Sequence, residues 1–199
     1  MLRRWVVLAA LLVLLGACGD LPLPDQARTR TPAATSAPAS GLRVVDYTQT
    51  PPVVTGVWPS SCTARGNLPD PRCTPGSVAP RTKAQVCVAG FSASVRPRSS
   101  NTEKAKALAM ASYAVPLTKR GTTELDHLVP LSLGGSNDST NLWAEVSDIP
   151  NAGFRNLKDG IEDRVHDAVC RAGSWITLDA AQAALADDWT TALDVLGVQ

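Results

Sequence analysis

Between Glu124 and Trp143 the chain reads Glu-Leu-Asp-His-Leu-Val-Pro-Leu-Ser-Leu-Gly-Gly-Ser-Asn-Asp-Ser-Thr-Asn-Leu-Trp, and no other stretch restricts the fold as much. Thr122–Leu128 alternates weakly and ends at Pro130, so it reads as a short strand. Leu133 to Asp138 contains Gly134-Gly135 and a run of turn formers, which makes it a loop. Asn141–Glu145 is a second extended piece. Beyond it, Leu157, Ile161, Val165 and Val169 recur every four residues and share one face of a helix. Gly173 terminates that helix. A last helix runs from Thr177 or Asp179 to about Leu196, with Leu178, Leu185 and Trp189 toward its buried side. The second half therefore reads strand–loop–strand–helix–helix.

Asp126 and His127 are the chemically informative pair. Neighbours on a strand point to opposite faces, so a strand end lets them serve different partners. Asp126 offers a hard oxygen ligand for a divalent cation such as Mg²⁺. His127, neutral near pH 7, can take a proton from an attacking water. A base and a cation so placed can activate a water for hydrolysis. The plainer alternatives are an imidazole satisfying a loop carbonyl and an aspartate serving a turn.

Asp126-His127, then Pro130, Gly134-Gly135 and Asn141-Leu142, with Asn141 fifteen positions after Asp126, together resemble the core of HNH endonucleases, the ββα-metal finger nucleases. The resemblance covers roughly Thr122 to Trp189, and more loosely Leu68–Ala79 with Arg96-Pro97. It implies an α+β fold with a ββα-metal core and flanking helices, His127 as general base and Asp126 as metal ligand. It also implies that Asn141 pins the Gly-Gly loop and so orients His127. The family places a further metal ligand on the helix after the second strand. Asn151, Asn156, Lys158, Asp159 and Glu162 compete for that place. Lys158-Asp159 with Glu162 resembles a Lys-Asp-x-x-Glu variant of secreted HNH-like proteins. Asp159 is expected first, Glu162 next and Asn156 third, against the plainer alternative of a solvated charged face. The paired Cys-x-x-Cys knuckles of many HNH proteins are missing here.

The N-terminus bears on location. Arg3 and Arg4 precede an apolar run from Trp5 to Leu15, too short for the about 20 apolar residues of a spanning helix. Leu15-Gly16-Ala17-Cys18 resembles a bacterial lipobox. It implies a signal peptide at 1–17, cleavage before Cys18, lipid on its sulfur, and a chain tethered to the cell membrane on its extracytoplasmic side. Residues 18–41 carry Pro22, Pro24, Pro32 and Pro38 without apolar periodicity and read as a linker. The folded part splits into an irregular 42–120 and an HNH-like core with C-terminal helices at 121–199.

Four cysteines remain, Cys62, Cys73, Cys87 and Cys170, in a chain expected where disulfides persist. Three pairings are open. Cys62–Cys73 with Cys87–Cys170 is the one expected, the first stapling a Pro-rich loop and the second tying the early part to a late helix. A zinc site on the cysteines is the competing view, and no Cys-x-x-Cys pair supports it.

From Leu42 to Arg98 Pro and Gly interrupt the chain throughout. Short strands are expected at Arg43–Tyr47 and Ala84–Val88. Ser100-Asn101-Thr102-Glu103 has capping-box spacing, so a helix is expected to open at Ser100, run through Lys104–Tyr113 and stop before Pro116. Arg96, Arg98, Lys104, Lys119 and Arg120 are candidates for a phosphate-facing patch. They matter because the whole chain has 19 basic and 18 acidic residues, and losing Arg3 and Arg4 leaves 17 against 18. Any nucleic-acid contact must be local.

The expectation is a lipid-anchored HNH-like nuclease. It would use Mg²⁺, with Mn²⁺ or Zn²⁺ as alternatives, on DNA in preference to RNA. The alternatives are a degenerate finger that only binds and a structural envelope lipoprotein. No protein partner is inferable.

Overall fold

The computed structural model describes residues 42–45 and 52–199. The expected signal peptide, Cys18, the linker and Tyr47 lie outside the described residues. The architecture is mixed α and β, with two small sheets and two disulfides. β1 (Arg43–Val44) pairs in parallel with β2 (Ser77–Val78). β3 (Thr123–His127) pairs antiparallel with β4 (Leu142–Val146), which sets Asp126 opposite Trp143 and Glu124 opposite Glu145. The helices are α1 (Lys83–Val86), α2 (Phe91–Val95), α3 (Ser99–Ser112), α4 (Leu157–Cys170), α5 (Leu178–Asp188) and α6 (Ala192–Val195).

The hairpin and α4 fall within a residue or two of their expected positions. Three local expectations need correction. Ala84–Val88 is not a strand: Thr82 caps α1 through Gln85, whose amide donates to Thr82 Oγ1 at 3.3 Å while Thr82 N donates to Gln85 Oε1 at 2.8 Å. That reciprocal pair makes a helix start where apolar spacing alone suggested extension. The box foreseen at Ser100 does not form. α3 opens at Ser99 behind an extended Arg98, and the Glu103 carboxylate instead accepts from Arg120. The last helix is broken in two, because Asp188 turns its carboxylate onto Thr190 N at 2.9 Å and onto the Thr190 hydroxyl. Such local bonds compete with helix continuation.

Two apolar clusters hold these elements. One gathers Val86, Leu133, Val165, Val169, Leu185 and Trp189 from α1, α4, α5 and the loop before β4. The other joins Met110 and Tyr113 of α3 to Trp143 and Ala144 of β4. Each is bordered by a disulfide. Cys62–Cys73 lies in the second cluster, and Cys87–Cys170 closes a separation of 83 residues beside the first. A cross-link over so long a loop restricts the unfolded chain most.

The irregular N-terminal part is ordered by what it braces. Thr55 N donates to Asn137 O at 3.0 Å and Ser139 N to Thr55 O at 2.9 Å. From the other side Gly76 N reaches Thr140 O, Ser136 N reaches Ser77 O, and Ala79 N reaches Gly134 O. The loop between the strands of the hairpin is thus bonded along both edges by segments that form little regular structure themselves.

Candidate functional site

Asn141 fixes this loop from inside. It is fully buried, and its side chain makes four bonds. Oδ1 accepts from Val129 N at 2.9 Å and Ser77 N at 3.3 Å, while Nδ2 donates to Val129 O at 2.9 Å and Ser136 O at 3.0 Å. Gly135 is required by the same closeness: a Cβ there would stand 1.7 Å from Val129 O.

The pinned loop delivers Asn137 to His127. Asn137 Nδ2 donates to Val95 O at 2.9 Å, and a carbonyl can only accept, so the amide turns Oδ1 to His127 Nε2, 2.8 Å away. That oxygen also only accepts. The proton therefore sits on Nε2 and the ring's lone pair on Nδ1. Burial holds the imidazole far below its ordinary range, at about 4, against the Asn137 bond and the Asp126 charge that favour the cation. It is neutral across physiological pH. Asn137 was not foreseen. Its only signal was a place two residues after Gly135 in a loop that Asn141 fixes.

Asp126 faces away from His127, as strand alternation requires. It is buried and accepts from Trp143 Nε1 at 2.9 Å, its cross-strand partner. It also meets Lys158 Nζ, at 3.0 Å from Oδ2. Lys158 Nζ donates further to His127 O at 2.8 Å and to Glu162 Oε1. The buried stripe of α4 begins with Lys158 and not with Leu157, which is 58% exposed. Lysine is buried here because anionic and carbonyl oxygens surround its ammonium. Asp159 faces another duty: its Oδ2 accepts from Asn156 N at 3.2 Å and stabilises the start of α4. Asn156, buried in the turn before α4, donates to Phe154 O and accepts from Asp148 N.

Of the three residues expected to share a cation, Asp126 and Glu162 therefore converge and Asp159 does not. The point of convergence is filled by the Lys158 ammonium. In this arrangement the three do not fit a common divalent ion.

Glu124 and Glu145 lie opposite each other on the same face of the hairpin as Asp126. Burial and then the Asp126 charge push Glu145 up to about 10 and Glu124 up to about 7. Burial also raises Glu162, against the pull of Lys158. For Glu145 the folded state keeps a proton that the unfolded chain releases above about 4.5. Stability is then lost as pH rises from there toward 10. Glu145→Gln removes this dependence. Its gain over wild type should be near zero at pH 4 and on the order of 2 kcal/mol or more at pH 8, read from urea unfolding at both values.

His127 lines a cleft of about 310 Å³ together with Arg96, Lys106, Glu103, Glu124 and Phe154. Arg96 acts electrostatically on both His127 and Glu124. Of the five basic residues expected to form a patch, Arg96 lines this cleft. Lys106 was not foreseen there. His166 packs elsewhere, with Nε2 3.3 Å from Val86 O. No protein-family model, no curated protein and no solved structure matches the chain.

Proposed function

We propose that this protein hydrolyses phosphodiester bonds of nucleic acid, DNA in preference to RNA, outside the cytoplasm, with β3, β4 and α4 forming an HNH-like ββα finger. The observation that carries this is the 2.8 Å contact of His127 Nε2 with Asn137 Oδ1, in a residue that lines a cleft. A neutral ring with its proton fixed on Nε2 by Asn137 keeps a lone pair on Nδ1. In the proposed step Nδ1 takes a proton from water as the water oxygen bonds to phosphorus. The bond to the leaving oxygen breaks, and that oxygen takes a proton from solvent. Arg96 and Lys106 supply positive charge for the phosphates, and Phe154, 56% exposed, offers a face on which a base can stack. Lipid on Cys18 would tether the chain to the cell membrane, and the two disulfides accord with an oxidising compartment. No step is routed through a divalent ion on Asp126, Asp159 and Glu162.

A second proposal, a finger that binds without cutting, is favoured by one observation: the Asp126 carboxylate is engaged by Trp143 and Lys158. The full-length protein in detergent, incubated with supercoiled plasmid in EDTA and in Mg²⁺, Mn²⁺ or Zn²⁺, separates the two. Cleavage is expected, and His127→Ala should lower it by about 10²–10⁴-fold, the usual worth of a general base, with the fold kept. The acid limb of the wild-type pH profile should lie near 4, since the ring gives up its lone pair only there. A folded wild type that shifts plasmid mobility but nicks it under none of these conditions would leave binding as the function.

A further inference from the structure

Lys158 stands in the first turn of α4 and is fully buried. An ammonium has three protons to donate, and each has a partner: Asp126 at 3.0 Å, His127 O at 2.8 Å, and Glu162. These are a carboxylate from β3, a backbone carbonyl from the end of β3, and a carboxylate one helical turn along α4. They are the oxygen donors a hard cation collects, brought together from two elements on one point.

We propose that the Lys158 ammonium is the resident cation of this centre, standing where a divalent ion would bridge Asp126 and Glu162 and holding His127 in place through its carbonyl oxygen. A divalent ion bonds carboxylate oxygens at about 2.0–2.6 Å. An ion so placed on Asp126 and Glu162 would lie against the ammonium, and two cations cannot share that point in a buried setting. Lys158 is thus a positioning residue. It ties the strand end that carries the imidazole to α4, as Asn137 ties the ring itself to the loop. The inference goes beyond the hydrolase proposal and holds or falls without it. It also makes a specific demand: with a short neutral side chain at 158, the two carboxylates become half of a vacant cation site.

The test uses the full-length protein and Mn²⁺, which is paramagnetic and reports its own position. In ¹H–¹⁵N spectra of lysine ammonium groups, Lys158 should give a cross-peak protected from solvent exchange at pH 7–8, assigned by its loss in Lys158→Gln. It should stay sharp as Mn²⁺ is raised to about 1 mM. A peak that is absent, or one bleached by saturable Mn²⁺ binding that Asp126→Asn abolishes, overturns the proposal. In Lys158→Ala, Mn²⁺ should raise the melting temperature by several degrees, since a ligand held only by the folded state stabilises it. Asp126→Asn in that background should cancel the rise. A Lys158→Ala protein that folds and ignores Mn²⁺ also counts against a cation site. If this variant does not fold with or without Mn²⁺, the wild-type spectrum decides alone. None of these readouts depends on cleavage. A protected ammonium in a protein that cuts nothing would sink the hydrolase and keep this inference.

Discussion

Lys158→Met is expected to lower the unfolding free energy by about 3–5 kcal/mol, the cost of stranding a buried charge. The thioether fits the volume of the lysine stem but returns nothing to Asp126, Glu162 or the His127 carbonyl, all of which now bond the ammonium. With Lys158 about 1% exposed at its side chain, water cannot take its place without opening the packing of α4 on the hairpin. Adding Glu162→Gln removes one stranded charge and should recover part of the loss, so the two substitutions will not add. Glu162→Gln alone should cost less than Lys158→Met, because Asp126 still pairs the ammonium. Urea unfolding followed by tryptophan fluorescence measures all three. A Lys158→Met loss below about 1 kcal/mol, the range of an exposed pair, would mean that the ammonium is hydrated rather than buried.

Gly135→Ala is expected to be at least as damaging, at about 4 kcal/mol or more, or to prevent folding. The methyl group would stand 1.7 Å from Val129 O and 2.9 Å from Asn141 Nδ2. Neither neighbour can yield cheaply. Val129 O is the acceptor of Asn141, and Gly135 N itself donates to Pro130 O at 2.9 Å. Any loop that accommodates the methyl group displaces Asn137, so His127 loses the partner that fixes its tautomer. The variant that still folds should therefore lose the single Nε2-protonated tautomer of His127. Gly134→Ala tests a different restraint: that residue has φ of +78° and ordinary to tight neighbours, so its cost is conformational and smaller. Equal effects at the two glycines would contradict the packing described for Gly135.

How far the molecule was legible in its sequence depends on which forces decided each part. β3, β4 and α4 were written in local pattern: alternation, a Gly-Gly turn and an apolar four-residue spacing, each reinforced by packing. Of the three open pairings, the structure holds the expected one, Cys62 with Cys73 across a Pro-rich loop and Cys87 with Cys170 between the early part and α4. The misread segments were settled by single side chains. Gln85 makes a capping box that converts Ala84–Val88 from strand to helix, Arg120 removes Glu103 from the box it seemed to form, and Asp188 ends a helix early. At the site, Asp126, His127 and Asn141 stood out by residue type and spacing. Asn137 did not, and Lys158 did so only as a competitor for a metal-ligand place, because their meaning is three-dimensional. An asparagine among turn formers looks like turn chemistry. A lysine between Leu157 and Asp159 looks like a solvated face, and it is buried only because carboxylates from two elements surround it.

The most direct check of the account is the ring of His127 itself. Long-range ¹H–¹⁵N correlation spectra of the full-length protein report which nitrogen carries the proton and at what pH the ring charges. The account predicts a protonated Nε2 and an unprotonated Nδ1 from pH 8 down to about 5, with charging centred near 4. A ring that charges near the ordinary histidine value of about 6.5, or one whose proton sits on Nδ1, would leave no lone pair where the proposed water must give up its proton.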